Sequence, residues 1–242
     1  MRVLILAAML CLACGARSVH ADAVDERIDR ATADFYAGKY RQAFALALPL
    51  AERGNPAALN LLGMMYEQGK GVPADPARAV GYYRQAAEQG DVYAEYNLGV
   101  SYETGFGVVM NYHEAVKWYR RAAEKGVDFA QYNLATMYED GNGVARDAAK
   151  AAFWYLKAAE QGNKQAQNNL AWLYARGQGV GRNLLVAYAW FDAAAAQGLE
   201  AAAEQRDLIA AQLTTTELET ARELAARFRR QHIPSAGSAP AP

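Results

Sequence analysis

Eight side chains in this 242-residue chain have the chemistry of a grip: Glu67, Tyr93, Tyr96, Glu103, Phe129, Tyr132, Glu139 and Trp172. Glu67, Glu103 and Glu139 stand 36 residues apart, and the same interval separates Tyr93 from Phe129 and Tyr96 from Tyr132. Aromatic rings offer apolar area that a partner can desolvate, and carboxylates beside them select a basic or amine-bearing partner. Equal spacing would set such groups in rows, which suits an extended or helical peptide. A second use of Tyr96 and Tyr132 stays open at this point, as struts between neighbouring layers. Asn97, Asn133 and Asn169, also 36 apart, are expected to bond neighbouring backbone.

Bond-making chemistry is not visible. His20, His113 and His232 are scattered and give no metal-ligand spacing. The nucleophile-elbow, phosphate-loop and zincin motifs do not occur. Acidic pairs are abundant, but they fall on repeated positions and read as solvated faces. No catalytic, cofactor-binding or metal-binding residue is assigned, no cofactor is expected, and the chain is read as non-enzymatic.

The elements that would carry these residues follow from the same interval. Ala58, Ala94, Ala130, Ala166 and Ala202 are 36 apart, as are Tyr66, Tyr102, Tyr138 and Tyr174. A fixed period of this size marks a stacked-repeat architecture. Within one copy, Ala94, Leu98, Gly99 and Tyr102 lie on one face of a first helix. Ala115, Trp118, Tyr119, Ala122 and Ala123 lie on one face of a second. Gly105 and Gly107 let the chain leave the first helix sharply, and Gly126 closes the second. Asp75, Asn111, Asp147 and Asn183 are good helix N-caps, and Pro76 follows the first of them. The mid-helix Gly99 predicts close helix contact, since glycine there otherwise costs about 1 kcal/mol. Trp118, Trp154 and Trp190, with Tyr82 in the first copy, are predicted to fill the wedge between layers.

The pattern A-x-x-x-L-G-x-x-Y-x-x-G-x-G-V, followed by A-x-x-W-Y-x-x-A-A-x-x-G, resembles the Sel-1-like repeat family, relatives of the tetratricopeptide repeats. Four copies fit: residues 58–93, 94–129, 130–165 and 166–201. The third and fourth carry Ala135 and Ala171 where the first two have Gly63 and Gly99. The resemblance implies an all-α fold, a right-handed α-solenoid of stacked helix–loop–helix repeats with a 36-residue period. It implies a protein-interaction module whose first helices line a concave side, and no particular reaction. Residues 22–57 read as a degenerate N-terminal capping repeat and 202–233 as C-terminal capping helices. These include a capping box at Thr214–Glu217 and an inward face of Leu218, Ala221, Leu224, Ala225 and Phe228. Residues 234–242 are rich in Pro, Ala and Ser and read as a disordered tail.

Residues 1–21 read as a secretory signal peptide. Arg2 precedes the apolar run Val3–Ala13, and Val19-His20-Ala21 offers a cleavage site before Asp22. The run is shorter than the roughly 20 residues that span a bilayer, so no membrane insertion of the mature chain is expected. Both cysteines, Cys11 and Cys14, fall in this segment, and a lipid anchor at Cys14 is the competing reading. Formal charge is 25 basic against 26 acidic groups, and loss of Arg2 and Arg17 leaves 23 against 26. That balance gives no case for nucleic acid. The expectation is an exported, periplasmic or secreted, adaptor for a protein or peptide partner. The alternatives are an envelope enzyme acting on cell-wall-related substrates and an outer-membrane lipoprotein scaffold.

Overall fold

Side-chain acceptors stand just ahead of most of the helices, though not of those that begin after Lys39, Val127 and Leu199. Asn55 accepts from the Ala58 amide at 2.9 Å, and Asp91 from the Ala94 amide at 2.8 Å. Asp75 accepts from the Arg78 amide at 3.0 Å, with Pro76 in the first turn. Asn111, Asp147 and Asn183 cap their helices in the same way. Each acceptor satisfies a backbone donor that a first helical turn leaves open.

The computed structural model describes residues 26–233. The helices are α1 (26–36), α2 (Tyr40–Ala51), α3 (Pro56–Gln68), α4 (Pro76–Glu88), α5 (Val92–Thr104) and α6 (Tyr112–Glu124). They continue as α7 (Asp128–Asp140), α8 (Ala148–Glu160), α9 (Lys164–Arg176), α10 (Leu184–Ala196), α11 (Glu200–Ala210) and α12 (Thr215–His232). Among the described residues there is no strand, and helix–loop–helix repeats of 36 residues make up the all-α fold. The leader reading over 1–21, with its cleavage and lipidation positions, and the tail reading over 234–242 fall outside the described residues.

Packing divides the chain into two units that meet in sequence at Met110 and Asn111. In the N-terminal unit α2 packs on α3, α3 on α4 and α4 on α5. In the C-terminal unit each helix from α6 to α10 packs on its successor, and α12 lies against α10 and reaches α8. Apolar burial runs along both units: Ala79 and Ala86 of α4, Ala115 and Ala122 of α6, and Ala151 and Ala158 of α8 are fully buried. Alanine there lets helix backbones approach, so the large side chain at the centre of each stripe meets the neighbouring helix.

That central side chain is not the expected one. Tyr83, Tyr119, Tyr155 and Phe191 are each at most 1% exposed. Trp118 and Trp190 are buried, but Trp154 and Tyr82 are half-exposed, which corrects the assignment of all four to the wedge. One step along a helix turns a side chain by about 100°, and it is the residue after the tryptophan position that faces the neighbouring helix squarely. Gly63 is explained by the same tyrosine, since a Cβ there would lie 2.4 Å from the Tyr83 ring.

The glycine loops are seated on backbone. Gly107 has φ +66°, and a Cβ on it would come within 2.1 Å of the Pro76 carbonyl oxygen. Gly143 has φ +64°, and its Cβ would meet the Tyr112 carbonyl at 2.3 Å. Each loop therefore rests on the start of the second helix of the preceding repeat. At the far end the capping box forms: the Thr214 amide donates to Glu217 Oε2 at 2.9 Å, and the Glu217 amide donates to Thr214 Oγ1 at 3.4 Å. On α12, Ala221 and Ala225 are buried, and Phe228 packs its ring 4.4 Å from that of Trp190. The buried Asp192 of α10 is held by Arg206 of α11 at 3.3 Å and by Arg229 of α12. A buried carboxylate needs such partners, and these tie the last two helices to α10.

Candidate functional site

In the N-terminal unit the grip residues sit on α3 and α5. Tyr93, at the start of α5, is 53% exposed, while Tyr96 and Glu103 further along are half-buried. Tyr36, at the end of α1, is 44% exposed. Burial, and then the neighbouring Tyr93 phenol, raise its pKa above the ordinary range. Sequence reading missed Tyr36, because α1 falls out of register with the later first helices and no interval points to it. Glu67 is not turned toward a partner: its Oε2 accepts from the Tyr83 hydroxyl at 2.5 Å. Burial first, then the Glu67 charge, push the Tyr83 phenol well above its ordinary range, so the tyrosine stays neutral and donates. Asn97 donates to the Asn60 side chain at 3.0 Å, not to backbone as expected.

The C-terminal unit carries Phe129, Tyr132 and Glu139 on α7 and Trp172 on α9. Phe129 is 57% exposed. The Tyr132 ring is half-buried, 5.8 Å from the ring of the fully buried Tyr155. The Tyr155 hydroxyl donates to Glu139 Oε2 at 2.7 Å, accepts from Asn169 at 3.1 Å and lies 3.1 Å from the Thr136 hydroxyl. Burial raises the Tyr155 phenol well above its ordinary range; the Thr136 bond works against that shift, Glu139 adds to it, and Asn169 again opposes it. Asn169 too therefore bonds a side chain and not backbone, because the tyrosine hydroxyl reaches it first. Trp172 stands edge-on to the buried Phe191 at 5.4 Å, and the Arg176 guanidinium lies 4.4 Å over its face.

Thus the structure joins Tyr132 and Glu139 through Tyr155, and it backs Trp172 with Phe191. Tyr132 is both strut and surface: one part of the ring packs inward and the rest is open. Glu67 and Glu139 are internal acceptors with part of each carboxylate still at the surface. Arg84 and Arg120 donate to the Tyr102 and Tyr138 hydroxyls at 3.1 Å and 3.0 Å, and Arg84 stays exposed.

Two further residues escaped the sequence reading. Arg146 Nε donates to the Glu139 carbonyl at 2.8 Å, and Arg182 Nε donates to the Ala175 carbonyl at 3.1 Å. Each arginine sits in a glycine loop and caps the end of the preceding first helix. Their interval of 36 residues was the available signal. An open cleft of about 320 Å3 lies there, lined by Glu139, Arg146, Ala148, Leu173 and Gln178. Among the described residues no cluster of His, Cys, Asp and Glu could hold a metal ion. No helix there is long and apolar enough to cross a membrane.

The Sel1 repeat pattern matches residues 56–91, 92–127, 128–163 and 164–199, two residues ahead of the phase read from the alanines. Among curated proteins none matches the chain. Solved structures do. A protective antigen of uropathogenic Escherichia coli strains, displaying an SLR fold, is 33% identical with a TM-score of 0.73. The match covers 83% of this chain but only 45% of that one. A Sel1 repeat protein from Oxalobacter formigenes is 30% identical with a TM-score of 0.70, over 83% of this chain and 84% of its own. A Sel1 repeat protein from Klebsiella pneumoniae subsp. pneumoniae shares the fold at 20% identity and a TM-score of 0.54, over 78% of this chain and 94% of that one.

Proposed function

Because the chain belongs to the Sel1 repeat family, whose repeats generally serve as protein-interaction modules, we propose that it is an exported adaptor that holds a protein or peptide partner on its first-helix faces. It catalyses no reaction. One observation carries the reading: Tyr132 and Trp172 are half-exposed rings fixed from behind by the buried rings of Tyr155 and Phe191. A ring already held in place loses little conformational freedom on binding, so its desolvated area converts to affinity. Export rests on the leader pattern of residues 1–21.

The test compares proteins captured from envelope extracts by the wild-type chain and by Tyr132→Ala and Trp172→Ala variants. Capture should fall in both variants while helicity by circular dichroism is kept. Capture that persists unchanged would remove the first-helix faces from the account. Mass spectrometry of the exported protein should find Asp22 at the mature N-terminus. A diacylated Cys14 would replace soluble export with a lipid-anchored scaffold.

A further inference from the structure

We infer that the loop edge of the C-terminal unit docks an acidic peptide segment, whose carboxylates are held by Arg146 and Arg182. The inference rests on the reading of the chain as an interaction module and specifies the chemistry of its partner. It reverses the sign expected from the sequence, where the glutamates would have selected a basic one.

The first support is what the fold does not require. The same loop position is filled by Ala74 and Met110 in the N-terminal unit, with left-handed glycines at Gly69 and Gly105 as at Gly141 and Gly177. The turn thus forms without arginine. A second support is orientation. With Nε committed to the Glu139 and Ala175 carbonyls, each guanidinium is aimed, and its remaining N–H groups meet no carboxylate among the described residues. An oriented guanidinium matches a carboxylate through two parallel hydrogen bonds.

Glu139 lines the same cleft and accepts from Tyr155, and Asp147 caps α8 and pairs with Lys150 at 3.2 Å; neither carboxylate forms an ion pair with Arg146. Asp140 is exposed and makes no ion pair among the described residues. The third support is space. The cleft of about 320 Å3 places Arg146 beside the apolar Leu173 and the Gln178 amide. Leu173 follows Trp172, over which Arg176 adds another guanidinium. An acidic side chain would find the Arg146 guanidinium at the rim of the cleft, with Ala148 and the edge of the nearly buried Leu173 behind it.

The experiment titrates the full chain with a short fluorescein-labelled peptide of leucine and glutamate, with blocked ends, and with its glutamine counterpart. Fluorescence anisotropy should show saturable binding of the acidic probe, weakened by salt, and at least about tenfold weaker binding of the glutamine probe. Arg146→Ala and Arg182→Ala should each weaken the acidic probe several-fold without changing the melting temperature, because Ala74 already supports this loop. Arg146→Lys should recover only part of the loss, since a lysine keeps charge but not the two-bond geometry. Equal binding of the two probes would overturn the proposal, as would no binding of the acidic one or a double alanine variant that binds it as well as wild type. If Tyr132→Ala and Trp172→Ala abolish partner capture while the acidic probe fails to bind, only this inference falls and the adaptor reading stands.

Discussion

The two units are built on one plan and finished differently. In both, a fully buried tyrosine of a second helix donates to a glutamate of a first helix, Tyr83 to Glu67 and Tyr155 to Glu139. In both, a loop glycine rests on the backbone of the preceding second helix. The same two loop positions then carry Ala74 and Met110 in one unit and Arg146 and Arg182 in the other. What both units share is the scaffold, and these loop positions are where they differ. The last repeat sharpens the point: Ala175 stands in place of the glutamate and Phe191 in place of the tyrosine. The hydroxyl and its acceptor are lost together, as expected if each exists for the other.

The comparison breaks most easily at the buried rings. Tyr83→Ala and Tyr155→Ala should each cost about 3–5 kcal/mol, read by chemical denaturation, because both vacate a fully buried site. A near-neutral result in one unit would mean that the two cores are not equivalent. Next come the loops. Gly107→Val and Gly143→Val combine a left-handed backbone with overlap on a carbonyl, and each should cost about 2–4 kcal/mol. An unchanged melting temperature in either would show that the loop can lift away.

Removal of the hydroxyl alone should separate the units. Tyr155→Phe strands Glu139 and releases Asn169 and Thr136, whereas Tyr83→Phe strands Glu67 only, so the first should cost more within a range of about 1–3 kcal/mol. Pairing Tyr155→Phe with Glu139→Ala, the combination found at Phe191 and Ala175, should recover part of the loss in a double-mutant cycle. Alkaline pH probes the same bonds. Folding raises both phenol pKa values, so the stability they contribute is fully present below about pH 10 and declines as pH rises above it. Both Tyr→Phe variants should show a flatter alkaline melting profile than wild type. The smallest effect belongs to the positions that differ. Arg146→Ala and Met110→Arg should each move stability by no more than about 0.5 kcal/mol; a larger loss would make these side chains part of the scaffold.

Much of this plan was legible in the residues. The 36-residue interval, the Asx caps and the capping box at Thr214 need only local chemistry, and the helices begin where those residues stand. The direction of the glutamates was not legible from the row they form, because spacing gives position along a stack and not which way a flexible side chain turns. Its signal lay in a different interval, the 16 residues between Glu67 and Tyr83 and between Glu139 and Tyr155, absent as a pair from the last repeat. The bulk of Trp154 suggests a core position, but the angle on the helix turns the next residue, Tyr155, fully inward. Asn97 and Asn169 were assigned to backbone because the acceptors they use, Asn60 and Tyr155, come close only after the helices pack.

The seating of the loops has a consequence for how such a chain can change over generations. Gly71, Gly107, Gly143 and Gly179 each press on the residue 31 positions earlier, at Tyr40, Pro76, Tyr112 and Ala148. An insertion or deletion of one or two residues anywhere in that interval would pull a glycine off its seat and leave a side chain against a carbonyl. Duplication or loss of a whole copy preserves every such interval. Lineages of this chain should therefore differ in length by complete repeats, with single-residue gaps confined to the segments before the first seat, after the last, and between successive intervals at 72–75, 108–111 and 144–147.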